Sequence, residues 1–331
     1  MNSRERVQKI LRRELPDRLP FNFWMDRDLM VKLDGKFGEN FRVTHYDVDV
    51  VETFFLANWF PELNRKTVAD ETAAWWLEPK IESIAKAAEL ILPDTQDHKI
   101  YTLIQEDRCK YPDKALFALL TTPLDVMFSL RAFEGMFLDF YDYPKETEEF
   151  LHRVGRTLAK MARNACSMDI DVLYVAGDIC SAKGPFMSKD QLVRYCFEPL
   201  RGVVAEAKKA GIPVLFHTDG AVMDILDMFV EYGYDGINPL QPHLNDIRTF
   251  KEKYGNKLLL YGGLDNCYTI PDETPENVAR HVRETFNILG RNGGYIASTH
   301  DIPNYVPLEN IDILVKTIKE CTYTSIEGGT K

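Results

Sequence analysis

The stretch PVLFHTDGAVMDILDMFVEYGYDGINPLQP, residues 213–242, contains two short apolar runs on either side of a helical segment. The runs are residues 213–216 and 236–238, and neither alternates apolar with polar side chains. Apolar runs without alternation are typical of strands that are buried on both faces of a parallel sheet. The stretch therefore predicts one strand–helix–strand unit.

The same rhythm continues through the C-terminal half of the chain. Three further apolar runs have this character: 172–176, 258–261 and 295–297. Helix signals separate them, because Ser188 and Gln191 have the spacing of a capping box, and Thr274 precedes a proline at the first helical position. A last helix is expected from about Leu308. Alternating strands and helices with short connections predict βαβ units around a parallel sheet.

The N-terminal half has weaker signals. Four strands are predicted there, at residues 21–24, 48–52, 100–105 and 116–120. No Pro/Gly/Ser-rich linker interrupts the chain, and neither G-x-G-x-x-G nor a Walker A loop appears. We therefore expect one domain over residues 1–331, a (β/α)8 TIM-type barrel rather than a doubly wound sheet. The segment around Trp75-Trp76 is expected to belong to an N-terminal excursion over the barrel mouth.

Composition excludes several classes of partner. The 331 residues include 40 Lys and Arg against 51 Asp and Glu, a formal net charge of −11. A surface of this sign repels phosphate backbones and anionic lipids, so we expect no nucleic-acid and no membrane partner. No apolar stretch approaches the roughly 20 residues of a membrane span, and the N-terminus does not resemble a signal peptide. The six cysteines are scattered without a C-x-x-C pair, which predicts a cytoplasmic protein.

Polar side chains recur directly after five successive predicted strands. They are Asp178, then His217 and Asp219, then Asn238 and Gln241, then Asp265, and finally His300. In parallel α/β barrels, the residues that follow the carboxyl ends of the strands line the active site. We therefore expect these side chains to converge around a small-molecule substrate. Asn238, Gln241 and Trp24 are the candidate substrate contacts, and Asp178, Asp265 and His300 are the candidate catalytic residues.

Several segments resemble the uroporphyrinogen decarboxylase-like superfamily. They are SRERVQKILRRELPDRLPF (3–21), VLYVAGDICSAKGPFMSKDQLVRYCFEP (172–199), the stretch 213–242, LLLYGGLDN (258–266) and GGYIASTHDIPNYVPLENI (293–311). The resemblance implies the barrel fold and one of two chemistries. One branch decarboxylates a tetrapyrrole, and the other transfers methyl groups between a corrinoid and a small molecule with the help of zinc.

The segment 23–29 argues against the tetrapyrrole. The decarboxylases supply a paired-arginine motif, R-Q-A-G-R, near the N-terminus to receive a substrate with eight carboxylates. At the corresponding place this chain has Asp26-Arg27-Asp28, a single arginine between two acids. We therefore expect that the chain does not process uroporphyrinogen.

The methyltransferase branch implies a zinc site. Its members typically provide ligands from an H-x-C motif and a later cysteine, where this chain has His217, Asp219 and His300. Histidine nitrogens and a carboxylate oxygen are also suitable zinc ligands. Because this set is harder than one with two thiolates, a bound metal would be the stronger Lewis acid and would suit an oxygen, as in a methoxy compound.

Three functions remain open at this stage. The favoured one is a corrinoid-dependent methyltransferase whose corrinoid is presented by a separate protein. The others are decarboxylation of a different carboxylated substrate and a non-catalytic ligand-binding barrel. The same histidines could also orient a metal-free pocket in which His217 bonds to Asp219 or Asp265. Asp178 and Asp265 are candidates for supporting hydrogen-bond partners of the histidines. A monomer and a homodimer are both compatible with the sequence.

Overall fold

The computed structural model describes residues 1–60, residue 63 and residues 79–325. The tryptophans Trp75 and Trp76, which were expected in an excursion over the mouth, lie outside these residues. No helix in the described part of the chain is both long and apolar enough to cross a bilayer.

Seven strands form one parallel sheet. In sheet order they are β1 (Val50–Phe54), β2 (Ala115–Thr121), β3 (Val172–Ala176), β6 (Val214–His217), β7 (Gly236–Asn238), β8 (Leu259–Gly263) and β9 (Tyr295–Ser298). A separate hairpin pairs β4 (Cys180–Ser181) with β5 (Gly184–Pro185). The strands are buried almost throughout, as expected for a parallel sheet that is covered on both faces.

Helices occupy most of the connections. They are α1 (Ser3–Leu11), α2 (Arg27–Phe37), α3 (Phe41–Thr44), α4 (Thr102–Lys110), α5 (Pro123–Asp142), α6 (Pro144–Cys166), α7 (Lys189–Leu192), α8 (Glu198–Lys209), α9 (Leu226–Glu231), α10 (Ile247–Tyr254), α11 (Thr269–Asp272), α12 (Pro275–Leu289) and α13 (Leu308–Glu320). The predicted starts of α7, α12 and α13 are confirmed. The capping box at Ser188 and the Thr274 cap are both formed.

A π-helical turn connects α7 to α8, the helix that contains Pro199. Residues Val193–Phe197 adopt this wider turn just before α8, in which proline is the second residue. Proline lacks an N–H and crowds the carbonyl four residues earlier, and one wide turn relieves both problems. The carbonyl of Pro199 then packs directly on α6 at Gly155, where an added Cβ would lie 2.1 Å from that oxygen.

The prediction of a strand at residues 100–105 is wrong. These residues lie in a 3-10 turn, His98–Tyr101, and in the first part of α4. Ile100 and Ile104 are both buried, and their four-residue spacing places them on one helical face. The apolar run is short enough to fit either period, and packing against the core selected the helical one.

The segment 21–24 also differs from its prediction, because it makes only isolated bridges instead of a strand. Phe21 bridges to Ala297 of β9 and Met25 bridges to Ile302. On the other side, the backbone N–H of Phe21 donates to the Asp49 carboxylate rather than to a backbone carbonyl, which interrupts the ladder next to β1. Eight strands closed into a barrel were predicted. The structure has a curled parallel sheet of seven strands, with this segment beside it.

Buried ion pairs fasten the N-terminal segment to the sheet. Asp49 is fully buried and accepts hydrogen bonds from Arg6 and Arg18, as well as from Phe21. Asp171, just before β3, is held in the same manner by Arg4 and other donors. These pairs lie near the amino ends of the strands, at the end opposite to the candidate site.

Candidate active site

The candidate residues lie at the carboxyl ends of neighbouring strands. His217 is the last residue of β6 and Asn238 the last of β7, while His300 follows β9 by two residues. The register places Ala176 of β3 beside His217, and His217 beside Asn238. The ring centroids of His217 and His300 are 5.5 Å apart, so the predicted convergence of the two histidines is confirmed.

Hydrogen bonds at Nδ1 fix the tautomer of His217. Its Nδ1 lies 2.6 Å from Oδ1 of Asn238, and the hydroxyl of Tyr174 donates to the same oxygen at 2.5 Å. The Asn238 amide nitrogen donates to the carbonyl of Tyr261, which fixes Oδ1 as the atom facing the histidine. Nδ1 must therefore carry the proton, and the lone pair of His217 Nε2 is left for a ligand on the mouth side.

Asp219 and His300 complete a three-residue centre with His217. One ligand atom from each residue lies within 4.8 Å of the others. His300 Nε2 is 3.2 Å from Oδ2 of Asp219. Burial raises the pKa of Asp219, and the two histidines partly oppose that shift. The other carboxylate oxygen, Oδ1, is buried without a hydrogen-bond partner among the described residues.

These residues fit a zinc ion. Two imidazoles and a carboxylate are a suitable ligand set for catalytic zinc, and a fourth position remains for substrate. The unpartnered Asp219 oxygen is costly to bury, and a cation would satisfy it. Asp178 completes the surroundings, because its Oδ1 accepts the backbone N–H of Asp219 at 2.9 Å and lies 4.0 Å from His217 Nε2.

A second group of potential ligands, His243, Asp265 and Cys267, also lies within 4.8 Å. Asp265 accepts four hydrogen bonds from the loop that begins α11: three from backbone N–H groups and one from the hydroxyl of Thr269. Burial alone would raise the pKa of Asp265, but these hydrogen bonds outweigh burial, and the pKa is lowered. Since about four acceptor sites are all that a carboxylate offers, this group fits a metal less well. A catalytic role for Asp265 stays a prediction.

The two predicted polar substrate contacts are bonded to protein. Asn238 supports His217, and Gln241 accepts the backbone N–H of Gly220 at 2.9 Å, which fixes the turn after Asp219. Gly220 has φ +96°, and a Cβ there would lie 2.5 Å from the carbonyl of Ser181. These contacts support positioning roles, and direct contact of Asn238 or Gln241 with substrate stays a prediction.

Trp24 is bonded to Thr299, the residue before His300. Its backbone N–H donates to the hydroxyl of Thr299, and its ring packs edge-on against the exposed ring of Phe54. The guanidinium carbon of Arg42 lies 4.2 Å from the centre of the Trp24 ring. Below them, Glu52 of β1 is buried and accepts a short hydrogen bond from Tyr261, and burial raises its pKa.

A pocket of about 290 Å³ opens between the ends of β1 and β2. Phe54, Trp59 and Leu119 give it an apolar wall, and Asp125 of α5 contributes a carboxyl group. Burial raises the pKa of Asp125 to about 6, although hydrogen bonds from Thr122 oppose the shift. A larger groove of about 630 Å³ lies against α6 and contains none of the candidate residues, so we do not associate it with the site.

Sequence reasoning missed four of these residues: Arg42, Glu52, Asp125 and Tyr174. Two of them carried a signal. Glu52 is a charged residue inside a predicted buried strand, and Tyr174 is the one polar side chain in the run 172–176. Buried polar groups need partners, so both positions indicate an internal hydrogen-bond network. Arg42 and Asp125 sit in ordinary helical sequence, where nothing distinguishes them from surface charges.

Solved structures of other proteins are similar to this chain in fold. The solved structure of a methyltransferase from Methanosarcina mazei is similar, with a TM-score of 0.73 and 16% identity over 97% of this chain and 99% of that one. An endo-β-1,4-xylanase from Gloeophyllum trabeum has a TM-score of 0.50 at 11% identity, with 91% and 96% covered. At such identities these likenesses show the fold alone. No curated protein matches.

The family is shown by sequence. The family described as uroporphyrinogen decarboxylase (URO-D) matches residues 70–321, which is more than half of the chain. This range contains the centre formed by His217, Asp219 and His300, and it confirms the resemblance of the motifs in the C-terminal half. The chain belongs to the uroporphyrinogen decarboxylase (URO-D) family.

Proposed function

We propose that the protein is a zinc- and corrinoid-dependent methyltransferase of this family, with the corrinoid carried by a separate protein. The observation that carries the proposal is the centre of His217, Asp219 and His300, in which three ligand atoms converge and one carboxylate oxygen is buried without a partner. The likeness in fold to a methyltransferase from Methanosarcina mazei supports the choice of branch.

The donor set favours an oxygen-bound methyl group. A bound zinc ion would act as a Lewis acid on the heteroatom that carries the methyl group. Because the chain provides a carboxylate at Asp219 instead of a thiolate, the ligand set is hard and suits an ether oxygen better than a thiol. The substrate class that we propose is therefore a small methoxy compound.

The residues around the centre have distinct tasks in this proposal. Asn238 and Tyr174 keep the Nε2 lone pair of His217 directed at the mouth. Asp178 orders the backbone at Asp219 and lies 4.0 Å from His217 Nε2. The methyl group would pass to the cobalt of the reduced corrinoid, which supplies the electron pair of the new bond, while the pair of the broken C–O bond stays on the substrate oxygen, which takes up a proton. Asp178 is our candidate for holding that proton on its carboxylate.

Decarboxylation is the second candidate, because Asp219 and His300 lie 3.2 Å apart and can exchange a proton without a metal. Uroporphyrinogen itself is not its expected substrate. Asp26 caps α2 by accepting the backbone N–H groups of Asp28 and Leu29, so the segment forms an acidic helix start rather than a cradle for carboxylates. Purified protein is expected to form no coproporphyrinogen, and efficient formation would contradict this.

Zinc binding is the decisive test. Purified protein is stripped with a chelator, dialysed, and titrated with zinc in a calorimeter, and the loaded protein is then assayed for elemental composition. We expect one zinc per chain in the wild type and a large loss of affinity in His217→Ala and Asp219→Ala, because either change removes one of three ligands.

The second ligand group provides a matched control. His243→Ala removes a histidine from a similar group at the same end of the sheet, and it is expected to leave zinc stoichiometry unchanged. If His243→Ala abolishes binding while His217→Ala does not, the zinc site is assigned wrongly. If the wild type binds no zinc at high micromolar concentration, the metal-free decarboxylase is favoured instead.

A further inference from the structure

Arg42 is held rigidly beside the candidate site. Its Nη1 donates to the carbonyl of Phe23 at 2.9 Å and lies 3.4 Å from Oδ1 of Asn22, and its plane lies over the ring of Trp24. Stacking on an aromatic face together with a backbone hydrogen bond fixes both the position and the orientation of a guanidinium group. The side chain is therefore preorganised although it lies in the short helix α3.

The opposite edge of this guanidinium has no protein partner among residues 1–60, 63 and 79–325. Both of its hydrogen bonds use Nη1, so Nε and Nη2 donate to none of these residues, and no described carboxylate forms an ion pair with it. Burial lowers the pKa of Arg42, and the charges of Glu52 and Asp301 oppose that shift from a distance. A largely buried cation without a contacting anion is costly and is expected to be used.

Backbone contacts connect Arg42 with the centre formed by His217, Asp219 and His300. The carbonyl that accepts the hydrogen bond from Arg42 belongs to Phe23, the residue before Trp24. Trp24, on which Arg42 stacks, is bonded through its backbone to Thr299, the residue before His300. The guanidinium therefore lies against a segment that borders the residue before His300.

We propose that Arg42 binds the carboxylate of the substrate, so that the substrate is a small carboxylic acid with a flat apolar body. This inference rests on the proposed function, because the methylated oxygen must then reach His217, Asp219 and His300. The open Nε–Nη2 edge matches the two oxygens of a carboxylate in a bidentate pair. Trp24 and the exposed ring of Phe54 provide the apolar surface for the body of the molecule.

A carboxylate fits this position better than a phosphate does. Only one edge of one guanidinium is open, and the carboxyl groups that act on Arg42, namely Glu52, Asp34 and Asp301, are acidic. A dianion would meet repulsion from these groups and would leave oxygens without donors, whereas a monoanion balances the single cation. The site also differs from the paired-arginine motif of the decarboxylases, because its single arginine comes from α3 and not from the segment 23–29.

The test uses metal-free protein, so that a carboxylate cannot bind to zinc. Affinities for 4-methoxybenzoate and for its neutral analogue, 4-methoxybenzamide, are measured by calorimetry on the wild type, Arg42→Gln and Arg42→Lys. The wild type is expected to prefer the acid at least about tenfold, the gain typical of a charge-assisted pair. The preference should vanish in Arg42→Gln and shrink in Arg42→Lys, which keeps the charge but loses the fork. Arg248→Gln, an exposed arginine, is the matched control.

Each result decides the proposal. Equal binding of acid and amide by the wild type, or an unchanged preference in Arg42→Gln and Arg42→Lys, would overturn it. If inorganic phosphate displaces 4-methoxybenzoate at the same concentration as acetate does, the site binds anions in general. That result would overturn the carboxylate assignment. Because no turnover is measured, a preference that depends on Arg42 stands even if methyl transfer fails. Methyl transfer without such a preference would remove this inference and leave the proposed function intact.

Discussion

Replacing Asp125 by asparagine should make the stability of the protein less dependent on pH. Asp125 lies in the first turn of α5, where its carboxylate accepts the hydroxyl of Thr122 at 2.8 Å. Burial against the end of the sheet raises the pKa of Asp125 from 3.8 to about 6, and the nearby negative charge of Asp178 adds to the shift. Asparagine keeps the shape and an acceptor for Thr122, but it cannot be ionised.

The sign follows from the protons bound in each state. Since the folded protein holds the Asp125 proton more tightly than the unfolded chain does, stability declines as pH rises from about 3.8 until it passes 6. A pKa raised from 3.8 to about 6 corresponds to a total of about 3 kcal/mol, which solvent contact at the pocket reduces. Between pH 5 and pH 8 the same values give a loss of about 1.4 kcal/mol.

The assay is urea unfolding of wild type and Asp125→Asn at pH 5, 6, 7 and 8. The variant should gain up to about 1.4 kcal/mol on the wild type across this range. Asp246→Asn is the control, because hydrogen bonds to Thr249 lower the pKa of Asp246, which is thus ionised in both states above pH 5. Its difference from wild type should stay constant. A constant difference for Asp125→Asn as well would refute the reasoning.

Three further substitutions test the packing and the site. Asp49→Ala removes the fully buried carboxylate that Arg6 and Arg18 share and should cost about 3–5 kcal/mol of unfolding free energy. Asp17→Ala, at a more exposed pair with Arg6, should cost less than about 1 kcal/mol in the same urea assay. Gly155→Ala places a Cβ against a backbone carbonyl and should cost about 1–3 kcal/mol; Gly35→Ala, in open space within α2, should be neutral or slightly stabilising by thermal unfolding. Asn238→Leu removes the acceptor that orients a zinc ligand, so calorimetric zinc affinity should drop about 10- to 100-fold; an unchanged affinity would contradict the positioning role.

The convergence of His217 and His300 could be predicted because it depends only on topology. Parallel strands bring their carboxyl ends to one edge, and each histidine directly follows an apolar run that is recognisable from composition. The support behind His217 could not be predicted in this way. It depends on the register that sets His217 beside Asn238, and on the side-chain direction of Tyr174. Neither property is encoded in the local pattern of a strand.

The N-terminal half was less predictable for a related reason. At residues 100–105 the apolar side chains fit a helix and a strand equally well, and only contact with the core distinguishes the two. At Phe21 a side chain, Asp49, replaces the backbone partner that a strand would have, an exchange that no propensity records. Arg42 was missed because its burial and its stacking on Trp24 both arise from long-range packing.

Charged groups at the two ends of the sheet differ in how completely they are hydrogen-bonded. At the amino end, Asp49 and Asp171 are surrounded by arginines and backbone donors, so that each carboxylate oxygen is satisfied. At the carboxyl end, one oxygen of Asp219 and one edge of Arg42 have no partner among the described residues. Leaving a buried polar group without a hydrogen-bond partner costs free energy. The partnerless oxygen of Asp219 and the open edge of Arg42 are the two observations on which the proposed zinc site and the proposed carboxylate site rest.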